Sequence, residues 1–214
     1  MTTVLNVRNP RAHALTSEIA QRRNIGITEA VIQALEHELE RERSSTPLAL
    51  RLAALADRAF EGRSQLPARH RDGSRRDVDA LMFIDTSAFV AIFCKEPEAG
   101  IFATCIERAQ RRSTSPMVRL EACTVLASRL DRDPLDVQAD FDEFLAEAGI
   151  TIVPISDSIG RIAVEAFQLY GKGRGHPAQL NLADCLSYAC ARADRDTILF
   201  KGRDFGHADL KTAL

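Results

Sequence analysis

From residue 81 onward the chain alternates short apolar runs with longer amphipathic stretches, and this pattern constrains the fold more than any other feature. "LMFID" reads as a buried strand, and "TSAFVAIFC" and "PEAGIFATCIERAQ" read as helices. "RSTS" is a short strand, followed by the helices "PMVRLEACTVLASRL" and "PLDVQADFDEFLAEAG". "ITIVPI" is a strand and "SDSIGRIAVEAFQLYG" a helix. After the loop "KGRGHPAQL" come the helix "NLADCLSYACARA", the strand "TILF" and a terminal loop "KGRDFGHADL". Such alternation builds an α/β fold, a central parallel sheet with helices on its faces. Sites in these sheets lie beyond the C-terminal ends of the strands.

Four acids fall where that rule looks for chemistry. Asp85 ends the first strand, and Glu121 sits in an otherwise apolar helix. Asp184 lies in the first turn of a helix, and Asp204 follows the last strand. Each is embedded in apolar sequence, where an unpaired carboxylate is costly. Each also has a plainer reading. Asp184 complements a helix dipole, Glu121 is a partly exposed helix residue, and Asp204 forms a turn. If the four meet at one sheet edge, their repulsion calls for a divalent cation. Hard oxygen ligands without Cys or His select magnesium or manganese. Such a site suits phosphodiester hydrolysis.

The order of these motifs resembles the PIN domain, and within it the VapC ribonuclease toxins. The matching stretches are "MFIDTSAFVAI", "STSPMVRLEA", "AQLNLADCLSYA" and "LFKGRDF" with "ADL", spanning residues 82–214. The resemblance implies a PIN-like α/β/α sandwich and an Mg2+- or Mn2+-dependent endoribonuclease acting on RNA. It also implies that Asp85, Glu121, Asp184 and Asp204 are the catalytic and metal-binding acids. Ser87 is placed to orient Asp85 by a hydrogen bond. Asp209 is a weaker candidate that otherwise caps the end of the fold. His176, Lys172 and Arg174 occupy a Gly-rich loop; a general base and phosphate contacts are the sharp readings there, and a solvated loop the plain one. A haloacid-dehalogenase-like phosphatase also carries a strand-end Asp, but it needs a second Asp where Ser87 stands.

Residues 1–43 form a separate pattern. "TVLNVRN" alternates, with Asn6 and Arg8 on one face. Asn9-Pro10 starts a helix, Asn24 and Gly26 can end it, and Thr28 is expected to cap a second helix. Val31, Leu35 and Leu39 line that helix. So small a unit cannot bury a stable core alone, and a single strand leaves unpaired edges. Pairing two copies through the strand removes both problems and gives a ribbon that fits the DNA major groove. The pattern resembles the ribbon-helix-helix antitoxins of the VapB type. That resemblance implies a homodimer or higher homo-oligomer, operator DNA as partner, and Asn6 and Arg8 as DNA-binding residues. The plainer reading is a hairpin used only for dimerisation.

Residues 44–81 connect the two. "PLALRLAALADRAF" reads as a third helix with a stripe of Leu48, Leu52, Leu55 and Ala59. "EGRSQLPARHRDGSRRDVDA" reads as irregular, and it holds Arg63, Arg69, Arg71, Arg75 and Arg76. It is a solvated linker or an inhibitory arm whose guanidinium reaches the carboxylates, with Arg69 and Arg71 preferred.

Residues 1–80 carry 13 Arg, no Lys and 11 acids, and the remainder 15 basic and 19 acidic residues. The opposite net signs fit two parts that face each other. Five cysteines without a CxxC pair read as reduced and buried, in a cytoplasmic protein with no membrane span. Met82 stands where a separate VapC-like toxin begins. The chain therefore reads as a fused antitoxin–toxin pair, whether natural or engineered, with a nuclease restrained by its own N-terminal part. The alternatives are a constitutively active PIN nuclease of RNA processing with an N-terminal binding module, and a DNA-binding repressor with a silent nuclease fold.

Overall fold

The computed structural model describes residues 9–60 and 81–214, with the side chains of 39–45 excepted. The expected N-terminal strand with Asn6 and Arg8, and the arm with Arg69 and Arg71, lie outside the described residues. The chain divides into two compact units, Met1–Pro47 and Leu48–Leu214.

In the first unit, α1 spans Pro10–Arg23 and α2 spans Ile27–Ser45. Asn9 caps α1 by accepting from the Arg11 N–H at 2.9 Å, and Pro10 fills the first turn. Asn24 ends the helix in the left-handed region at φ 54°. The second helix begins one residue before Thr28: the Gly26 carbonyl accepts from the Ala30 N–H at 2.9 Å. Thr28 is therefore inside the first turn rather than its cap, because the backbone of Gly26 already supplies the turn. Ala20 and Ala30 are buried, while Leu15, Ile27, Ile32 and Leu35 remain exposed.

The second unit is built on β1 (Leu81–Ile84), β2 (Arg111–Thr114), β3 (Ile150–Ile152) and β4 (Thr197–Leu199). The sheet is wholly parallel, in the order β3-β2-β1-β4. This bears out the α/β reading with a central parallel sheet. Six helices connect the strands: α4 (Thr86–Phe93), α5 (Ala99–Arg108), α6 (Pro116–Leu130), α7 (Pro134–Ala148), α8 (Asp157–Tyr170) and α9 (Leu182–Asp194). The terminal stretch expected as loop contains a 3-10 turn, Phe205–His207. Phe89 and Phe93 of α4 meet Phe141 and Phe144 of α7, with ring centroids 4.8 Å apart for Phe89–Phe141 and 5.1 Å for Phe93–Phe144. Arg112 ties two helix ends to the sheet, donating to the Ala148 carbonyl at 2.6 Å and the Glu107 carbonyl at 3.0 Å. Those carbonyls close α7 and α5, where a cation is favourable.

The third helix, α3 (Leu48–Phe60), belongs to this second unit and packs on α4, α5 and α7. Leu52, Ala56 and Ala59 are buried in the same core cluster as the sheet. Polar contacts frame the seam. The Leu48 N–H donates to Glu107 at 2.7 Å, Arg58 meets Glu143 at 2.6 Å, and Lys95 meets Asp57 at 2.7 Å. Arg132 donates to the Ala59 carbonyl at 2.9 Å.

Candidate active site

The strand order places a switch point at β1, where one crossover leads to β2 and the other neighbour is β4. A crevice opens beyond the strand ends at such a point. Asp85 follows β1 directly and caps α4. Its Oδ2 accepts from the Ser87 N–H at 3.0 Å and from the Ser87 hydroxyl at 2.7 Å. Its own N–H donates to the Leu199 carbonyl of β4 at 3.0 Å. The side chain is buried, 5% exposed, and one oxygen is already fixed.

The other acids arrive from three further elements. Glu121 projects from α6, and its Oε2 accepts from the Thr86 hydroxyl at 2.7 Å. Asp184 sits in the first turn of α9, in a reciprocal capping box. Its Oδ2 accepts from the Asn181 N–H at 2.8 Å, and its N–H donates to Asn181 Oδ1 at 3.0 Å. Asp204 is exposed at the head of the 3-10 turn. All four line one cleft of about 230 Å³, with Thr86, Ser87, Asn181, Phe200, Lys201 and Phe205. Among the described residues, the second oxygens of Asp85, Glu121 and Asp184 have no protein hydrogen-bond partner.

Electrostatics link the four. Burial pushes the Asp184 carboxyl up to about 6 from an ordinary 3.8. The Asn181 N–H pulls against that shift, while the charges of Asp85, Asp204 and Glu121 add to it. Spare oxygens from several hard ligands suit Mg2+ or Mn2+ in donor chemistry. Among the described residues no three His, Cys, Asp or Glu side chains already close around one point as a metal cage.

The remaining candidates lie elsewhere. Asp209 accepts from Tyr188 at 2.5 Å and Arg192 at 2.6 Å, which ties the C-terminal segment to α9. His176 accepts from the Ala178 N–H at 3.2 Å and stands edge-on to Tyr170. Arg174 lies over the Phe167 ring and donates to Gln168 at 3.1 Å. None of these lines the cleft, nor does Lys172. Sequence reasoning missed Asn181, Lys201 and the Thr86–Glu121 bond. "NLAD" carries a readable capping pattern for Asn181. No local signal marks Lys201, whose partners lie about a hundred residues away.

A family model agrees with this architecture. Residues 82–211 match the PIN domain model, and residues 3–81 match the Rv0623-like transcription factor model. Ribonuclease VapC28 of Mycobacterium tuberculosis is 41% identical over 133 residues, covering 62% of this chain and 98% of that protein. Ribonuclease VapC42 of the same species is 36% identical over 132 residues, covering 62% and 98%. The crystal structure of M. tuberculosis VapC20, titled a Sarcin-Ricin loop cleaving toxin, superposes with a TM-score of 0.48 at 18% identity, covering 60% of this chain and 95% of that one. The chain belongs to the PIN domain family, among the VapC ribonucleases, and carries ahead of that domain a segment matching the Rv0623-like transcription factors.

Proposed function

We propose that this chain is a fused antitoxin–toxin whose second part is a divalent-metal-dependent endoribonuclease. The observation that carries the reading is the meeting of Asp85, Glu121, Asp184 and Asp204 in one cleft at the sheet's switch point. The VapC ribonucleases it resembles supply the substrate class, RNA. Asp85, Glu121 and Asp184 would hold Mg2+ or Mn2+ through their spare oxygens, with Asp204 at the exposed rim. A metal held there supplies an activated water and steadies the leaving oxygen. Ser87 and Thr86 fix the orientation of Asp85 and Glu121, and Asn181 fixes Asp184. Residue by residue, these roles divide the work between charge and aim.

The N-terminal part restrains the nuclease and binds operator DNA for its own regulation. The match to transcription factors over 3–81 supports this, with Asn6 and Arg8 as the DNA-facing residues and a paired strand as the dimer contact. Arg69 and Arg71 are the proposed inhibitory side chains, acting within one chain or between copies. α3 supports a restraining role, since its apolar stripe is part of the nuclease core. The setting proposed for both activities is the cytoplasm.

The test compares RNA cleavage by the full chain and by Arg69→Ala/Arg71→Ala, with Mg2+ or Mn2+. A quiet full chain and an active variant support restraint by the arm. Equal, metal-dependent cutting by both would favour a constitutive nuclease instead. No cutting by either, with retained operator binding, would favour a repressor with a silent nuclease fold.

A further inference from the structure

We infer that Glu96 and Glu98 hold the Lys201 ammonium away from the four carboxylates and so keep the cleft open to a divalent cation. This rests on reading the cleft as a metal site. Among the described residues lining the cleft, Lys201 is the one cation. It lies three residues before Asp204, and its backbone N–H donates at 2.9 Å to the same Ser87 hydroxyl that holds Asp85. Lys201 shares the cleft lining with the four acids, and its ammonium rides on a long, flexible stem. Left free, it would pair with them and act as a built-in counter-ion competing with metal.

The ammonium is instead held by two acids that do not line the cleft. Its Nζ donates to Glu96 at 2.7 Å and to Glu98 at 2.9 Å. Glu96 is itself anchored, because its second oxygen accepts from Arg129 at 2.7 Å. Both glutamates lie on the connection between α4 and α5, outside the cleft lining. Two carboxylates and two cations nearly cancel, so the cluster adds little net field at the cleft. Partly exposed pairs of this kind contribute little to stability. Their effect here is to choose where one cation goes. Glu96 and Glu98 are thus positioning residues that act through Lys201.

The test is Mn2+ binding by the full chain in an Arg69→Ala/Arg71→Ala background, which takes the proposed inhibitory side chains off the acids, followed through the electron paramagnetic resonance signal of free Mn2+. Four forms are compared on that background: otherwise unaltered, Glu96→Gln/Glu98→Gln, Lys201→Met, and the three substitutions together. The double variant should bind Mn2+ about fivefold more weakly or worse, because the released ammonium occupies the acids. Adding Lys201→Met should restore the unaltered affinity within about twofold. Lys201→Met alone should bind as the otherwise unaltered chain does. Unchanged binding by the double variant would overturn the inference. So would a loss that Lys201→Met leaves in place. Rescue of half the logarithmic loss, with tighter binding by Lys201→Met alone, would mark a long-range field effect and also overturn it. If the otherwise unaltered chain shows no saturable Mn2+ binding, the metal reading fails, and this inference fails with it.

Discussion

The two units solve the burial problem differently. In Met1–Pro47, Ala20 and Ala30 are the buried apolar residues among those described, and Leu15, Ile27, Ile32 and Leu35 stand 44–55% exposed. In Leu48–Leu214, Phe83, Phe89, Phe141, Phe144 and Leu52 are fully buried around a four-stranded sheet. A helical pair that leaves its large apolar side chains in water needs a partner to complete its core. The sheet unit completes its own, and it recruits α3 to do so. The second unit also exposes apolar side chains, Val164 and Leu182 among them, but around a finished core, and its cleft is polar, a cluster of carboxylates.

This contrast can be broken by experiment. Leu52→Ala should destabilise the second unit by about 2–5 kcal/mol, as expected for truncating a fully buried leucine. Leu35→Ala should leave that transition in place and weaken self-association instead. Urea unfolding with sedimentation velocity separates the two outcomes. Comparable losses of unfolding stability from both substitutions would contradict the division. A smaller effect is expected within the cleft. Ser87→Ala removes the hydroxyl that bonds both Asp85 and the Lys201 N–H, and in the Arg69→Ala/Arg71→Ala chain should lower kcat about tenfold with little change in fold. An unchanged kcat would show that Asp85 holds its orientation without Ser87.

The smallest effect concerns stability against pH. Asp184 has a folded value of about 6, above its ordinary 3.8. Between these values the folded state holds the proton more tightly, so stability falls as pH rises from about 4 to about 6. The loss is complete above that window. Because the carboxylate is partly exposed, the loss is of order 1–2 kcal/mol rather than the full converted shift. Asp184→Asn retains an oxygen for the Asn181 cap. It should therefore stabilise the chelator-treated chain by about that amount at pH 7 and by nothing near pH 3. Thermal melts at the two pH values measure it, and equal effects at both would remove the electrostatic account.

Much of the second unit was legible in the sequence. Strand-end acids, Pro at helix starts and Gly149 at a helix end are local signals, and Gly149 does adopt the left-handed φ of 61°. Asp85, Glu121, Asp184 and Asp204 were readable because each interrupts an apolar pattern at a strand end or helix turn. The start of α2 was misplaced because a backbone carbonyl, not the Thr28 side chain, closes the first turn. The α3 stripe was readable as apolar, but nothing local said that its partners were α4, α5 and α7. The Glu96–Lys201–Glu98 cluster was invisible for the same reason. It joins segments about a hundred residues apart through partly exposed charges that have no periodicity. Local chemistry reads well in a sequence, and long-range polar pairing does not.

The central claim is that the carboxylate cleft cuts RNA with a divalent cation. The most direct measurement is cleavage of a mixed tRNA and rRNA pool by the Arg69→Ala/Arg71→Ala chain, with and without Asp85→Asn, in Mg2+, Mn2+ or chelator. The account predicts metal-dependent cutting that falls by about a hundredfold or more with Asp85→Asn and stops in chelator. Cutting that persists in the Asp85→Asn chain, or in chelator, would contradict it.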